Sequence, residues 1–174
     1  NTSRKYIARL DATTAASDSG FDSGNVFNLE GARLQLQSDG MILVAGVDNT
    51  AEQNRIKRLL STGAADPTFS SANTGFSSGA SAAVQLPGGQ VLVAVFGGNF
   101  SGTPIGKIVR LSSTAVLDGT YTPAVRSAGN VSGIAPAPGG QWIVAGSFQY
   151  ANGLPRSGLV RLNADGTTDP AFMS

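Results

Sequence analysis

The chain has 174 residues, with 12 Lys and Arg against 11 Asp and Glu. It is sized for one folded domain and carries no charge excess to hold nucleic acid or an anionic membrane surface. Cysteine and histidine are both absent, which excludes disulfides and thiolate metal centres and argues against zinc hydrolysis and Ser-His chemistry.

Read from its start, "NTSRKYIARL" has no initiator Met and no apolar core of a signal peptide, so the segment is expected to be a mature or excised piece of something longer. No apolar run approaches the roughly 18 residues of a membrane helix, so no membrane insertion is expected.

A repeat then governs the chain. "DGMILVAG" at 39–46 returns as "GGQVLVAV" at 88–95 and "GGQWIVAG" at 139–146. An apolar residue followed by x-Arg-Leu returns at 7–10, 56–59, 108–111 and 159–162. Asp-x-x-aromatic follows each time, at Asp18/Phe21, Asp66/Phe69, Asp118/Tyr121 and Asp169/Phe172. Three landmarks in fixed order divide the chain into a partial copy at 1–24 and three copies at 25–72, 73–124 and 125–174.

Within each copy an Asp-Gly or Gly-Gly turn separates two apolar runs, a hairpin signal, with Pro87 and Pro138 suited to start the turn. The second run is apolar at every position from Met41 to Ala45, as expected of a sheet covered on both faces. The x-Arg-Leu segment predicts a third strand, and a fourth is hinted at by "NVFNLE" at 25–30 and "NTGFSS" at 73–78. The fold class expected is all-β, with β-propeller-type blades from antiparallel repeats of about 50 residues. A β-solenoid is the second choice. These copies are too few for a closed ring alone, so further repeats of the same protein or another chain are expected to complete it.

The stretch "GSFQYANGLPRSGLVRLNADGTTDPAF" at 146–172 resembles the delta-60 repeat family of bacterial propeller-like repeats. The third copy follows that pattern from Gly139 through Gly146, Phe148, Asn152, Gly153, Arg161, Leu162, Asn163, Asp165, Gly166, Asp169 and Phe172. The second copy departs from it at Val95 and at Asp118-Gly119-Thr120-Tyr121, and the first lacks the Gly-x-Phe and Asn-Gly pair. The resemblance implies a bacterial, extracellular or cell-surface repeat module, and it carries no activity of its own.

Candidate sites follow from the same alignment. Asn163, Asp165 and Asp169 in "NADGTTD" resemble a calcium loop, but "LSTGAAD" at 60–66 and "SSTAVLD" at 112–118 keep only the final Asp, which favours a structural turn. The pairs Arg58 and Asp66, Arg110 and Asp118, and Arg161 and Asp169 suggest an ion pair within each repeat, and Arg9 and Asp18 extend the series. The alternative is a guanidinium stripe for acidic glycans. Trp142 reads as core, with sugar stacking as the alternative. Phe148, Tyr150 and Asn152 lie in a longer loop, where a ligand pocket would be sought first. Glu30 and Glu52 are the only long carboxylates, and nothing in the spacing brings them together for glycoside hydrolysis. The expected function is a non-catalytic structural or interaction module without a cofactor, whose partner is a protein or a glycan. A carbohydrate-binding propeller is the alternative, and a glycoside-active enzyme fragment comes third.

Overall fold

The computed structural model describes residues 6–24, 29–48, 56–69, 75–123, 125 and 129–172. Three antiparallel three-stranded sheets follow one another along the chain. The first is β1 (Leu29–Leu36), β2 (Ile42–Asp48) and β3 (Ile56–Leu59). The second joins β4 (Ala80–Gln85), β5 (Val91–Val95) and β8 (Ile108–Leu111), with the small hairpin β6 (Asn99–Phe100) and β7 (Thr103–Pro104) inserted before its last strand. The third repeats this plan with β9 (Val131–Ala137), β10 (Gln141–Gly146) and β13 (Leu159–Leu162), and the inserted hairpin is β11 (Tyr150–Ala151) and β12 (Leu154–Pro155).

The middle strands explain the stacking. Successive side chains of a strand point to opposite faces, and every residue of β5 is buried. Val91, Val93 and Val95 pack with Leu43, Ala45 and Ile56 of the first sheet. Leu92 and Ala94, on the other face, pack with Trp142, Val144, Val160 and Leu162 of the third. On the far side of the first sheet, Val44 and Leu59 meet Ile7 and Phe21 of the N-terminal partial copy. Trp142 is therefore core, 4% exposed.

The sheets are also tied at one edge. The Gln35 side-chain oxygen accepts a bond from the Gln85 N–H (2.7 Å), and the Ser81 hydroxyl donates to the Val131 carbonyl (2.6 Å). β1, β4 and β9 thereby line a shared groove of about 410 Å³.

The segments that hinted at a fourth strand are described only in part. Residues 25–28 and 73–74 lie outside the described residues, Leu29 and Glu30 belong to β1, and Phe76 bridges Phe100, with backbone bonds from the Ser77 N–H to the Asn99 carbonyl and from the Ser101 N–H to the Gly75 carbonyl. Further pairing comes from the inserted hairpins. Ser101-Gly102 and Asn152-Gly153 both take positive φ (48° and 85°, 49° and 77°), as a two-residue turn of the hairpin type requires.

Gly63 shows how closely neighbouring units approach. It sits at φ +92°, and a Cβ there would lie 2.8–2.9 Å from the main chain of Asp22 in the preceding unit. Gly88, at φ +95°, has open space instead. Gly63→Ala should lose roughly 2–4 kcal/mol, combining backbone strain with overpacking, whereas Gly88→Ala should lose about 1–2 kcal/mol from strain alone. Urea denaturation of the two variants checks the difference; equal losses would remove the close-approach argument.

Candidate functional site

The most elaborate side-chain constellation grows from the end of each third strand. After x-Arg-Leu the chain folds back at once: Leu59 bridges Ala65, Leu111 bridges Leu117, and Leu162 bridges Thr168. That reversal brings the following Asp beside the Arg. Arg Nε to Asp Oδ2 distances are 2.7 Å for Arg9–Asp18, 2.6 Å for Arg58–Asp66, 2.8 Å for Arg110–Asp118 and 2.7 Å for Arg161–Asp169. The second carboxylate oxygen accepts the N–H two residues on, from Gly20, Thr68, Thr120 and Ala171, an Asx-type turn. The same turn lays an aromatic ring under the guanidinium, with Arg Cζ 5.1 Å from the Phe21 centroid, 4.7 Å from Phe69, 4.5 Å from Tyr121 and 5.0 Å from Phe172. Arg, Asp and aromatic therefore form one clamp, and the two sequence landmarks are its two halves.

The clamps differ in burial. Side-chain exposure is 9% and 3% for Arg58–Asp66 but 44% and 36% for Arg9–Asp18. At Asp118, bonds from the Thr120 hydroxyl and the Arg110 guanidinium lower the carboxyl from its ordinary value to about 2. At Asp66 burial is the largest single influence and opposes ionisation, yet the Thr68 and Arg58 bonds together still hold its carboxyl low. Asp169 is lowered first by the Ala171 N–H.

The clamp also reaches the next unit. Arg9 Nη1 donates to the Ser61 carbonyl (2.6 Å), and Arg110 Nη1 points at the Ala164 carbonyl (3.4 Å). These carbonyls occupy the same place in successive turns. Beside the second contact, a Cβ on Gly166 would meet the Tyr121 ring at 3.0 Å and Pro123 at 3.3 Å. Tyr121 is 6% exposed, and burial pushes its hydroxyl up to about 12.

The loop residues do not converge. Phe148 is 1% exposed and belongs to the core shared by the second and third sheets, so it is not presented to a ligand. Tyr150 is 48% exposed on β11, and Asn152 occupies the hairpin turn. The structure thus separates the trio by burial. The oxygens of the "NADGTTD" loop are engaged locally. Asn163 Oδ1 accepts from Gln141 Nε2 (2.8 Å), Asp165 Oδ1 accepts from the Thr167 N–H and hydroxyl (2.9 and 2.7 Å), and Asp169 Oδ2 accepts from Arg161 and Gln141. No group of three or more acidic side chains that could hold a metal occurs among the described residues. Glu52 and the Glu30 side chain lie outside them.

The sequence pattern did not point to a cleft of about 490 Å³ between the β6–β7 hairpin and the turn after β8. Its lining includes Pro104, Ile105, Ile108, Leu117 and Tyr121. The signal that could have found it is the match between "NFSGTP" and "YANGLP", which marks the second copy as carrying the same inserted hairpin.

Residues 37–69 and 138–172 each match the family described as "Domain of unknown function (DUF5122) beta-propeller". These are propeller-type blades. Both matched segments run from the hairpin turn to the end of the clamp, the second closing on Phe172 and the first on Phe69. No curated protein and no solved structure gives a significant match.

Asp66→Ala leaves a buried guanidinium without its partner and should cost about 3–5 kcal/mol. Asp18→Ala, at an exposed blade edge, should cost no more than about 1 kcal/mol. Equal losses in urea denaturation would contradict the burial gradient. A pH series tests the ionisation. The folded carboxyl of Asp118 binds protons less readily than the unfolded one, so its contribution is complete above about pH 4 and is lost as pH falls through its folded value near 2. The melting temperature of Asp118→Asn should therefore fall less steeply than that of the parent over this range.

Proposed function

We propose that the chain is a non-catalytic structural and interaction module, built of delta-60-type blades, from a bacterial extracellular or cell-surface repeat protein. The observation that carries this reading is the use made of the recurring polar side chains. Each of the four Arg–Asp pairs is closed on itself and on an aromatic ring. Such guanidinium groups are committed to holding blades rather than offered as a stripe to acidic ligands. A near-neutral charge balance supports the same reading. Among the described residues no helix is long and apolar enough to cross a membrane.

Carbohydrate binding is the second reading, favoured by exposed Tyr150 and Leu154 (48% and 42%) on one small hairpin, since an exposed aromatic ring can stack on a sugar. Glycan-array binding of the parent and of Tyr150→Ala decides between them. The interaction-module reading expects no glycan retained above background. Retention that is lost in Tyr150→Ala would replace it with the lectin reading.

A further inference from the structure

We infer that the cleft between the β6–β7 hairpin and the turn after β8 takes an extended, uncharged apolar peptide segment of a partner protein. This rests on the interaction-module reading above and names the surface and the chemistry of its partner.

Two glycines in the lining are required neither by backbone conformation nor by crowding. Gly106 and Gly119 are not among the residues at positive φ. A Cβ on Gly119 would meet nothing within 4 Å, and one on Gly106 would come no nearer than 3.9 Å to its neighbours. Glycine at such places costs chain entropy on folding. What it provides is bare main chain on both walls of the cleft. The other blades differ at these positions. The first and third carry Asp-Pro-x-Phe at 66–69 and 169–172, where the second carries Asp118-Gly119-Thr120-Tyr121. In the third blade Arg156 stands in place of Ile105, Ser157 in place of Gly106 and Thr168 in place of Leu117. That arginine is folded onto its own hairpin, with Nη1 donating to the Pro155 carbonyl (2.8 Å) and Nε shut away from solvent. The second blade thus has a smaller and more apolar set of side chains around an opening of about 490 Å³, a size typical of ligand clefts.

The lining sets the chemistry of the occupant. Ile105 and Leu117 pack against the core shared with the first sheet, and Ile108 and Tyr121 belong to the core shared with the third. The apolar wall is therefore anchored in both. The carboxylate in the lining, Asp118, is balanced by Arg110 (2.7 Å) and bonded by the Thr120 N–H and hydroxyl, and burial keeps the Tyr121 phenol protonated at neutral pH. A charged ligand would lose its hydration here without meeting an opposite charge. A sugar is also poorly matched, because the Tyr121 ring is buried beside the Arg110 guanidinium and offers no stacking platform. An extended peptide suits both features of the cleft. Its apolar side chains would meet Ile105, Ile108 and Leu117, and its main chain would run close to Gly106 and Gly119, with the exposed Thr103 and Thr122 at the rim.

An array of short peptides with blocked ends, some uncharged and apolar, others acidic or basic, tests the inference on the parent chain and two variants. Ile105→Arg and Leu117→Thr each install the residue that the third blade carries at the same place, and thermal melting checks that they fold. The parent should retain uncharged apolar peptides, and each variant should bind them at least about tenfold more weakly. Titration of the parent with the peptide it retains best should move the amide resonances of Ile105, Leu117 and Gly119 first. A parent that retains no peptide or prefers charged ones, or a folded variant whose affinity is unchanged, overturns the proposal. Peptide retention and glycan retention are separate readouts, so failure of docking at this cleft is distinguishable from failure of the module reading.

Discussion

A strand with apolar side chains on both faces cannot be covered by its own hairpin, and the architecture follows from that constraint. Val91 to Val95 need a neighbour on either side, and the second sheet turns one face to the sheet before it and the other to the sheet after it. Burial of this kind, at about 25 cal/mol per Å² of apolar surface, is the main stabilising force available to so weakly charged a chain. Stability is then shared between units, as in other repeat proteins.

Apolar stacking alone does not fix how two flat faces slide or rotate, and the clamps supply that restraint. Asp holds Arg from one side, the aromatic ring supports it from below, and at two joints the remaining guanidinium nitrogen addresses a main-chain carbonyl of the next turn. Glycine at 63 and 166 lets that turn approach the clamp closely enough for the contact to form. Charge, ring and glycine in different repeats thus act together. An Arg or Asp taken singly would invite a binding-site reading that its surroundings do not support.

Much of the blade plan is legible in the sequence, because its signals are local. Gly-centred hairpins declare themselves by turn chemistry, and the Arg-to-Asp spacing is set by one tight reversal of the chain. The loop between the second and third strands is harder to read. Strands of two residues are too short to show alternation, so β6, β7, β11 and β12 leave no periodic trace. Phe148 and Tyr150 stand two apart in one loop and look equivalent in sequence, yet one is core and the other is exposed. The intervening chain is not a regular strand, so parity carries no information there.

By itself the sequence determined the hairpins and the Arg, Asp and aromatic residues of each clamp, since these lie within about a dozen positions of one another, and their return about every 50 residues determined the repeat. Only the tertiary structure decided which faces are covered and which are left open. Burial depends on what the neighbouring blade brings: the partners of Arg9 and Arg110 in the next turn lie 52 and 54 residues along the chain. No local pattern records which residues the neighbouring blade presents, and the cover that Val91 and Val93 give Leu43 and Ala45 is decided only in the assembled fold.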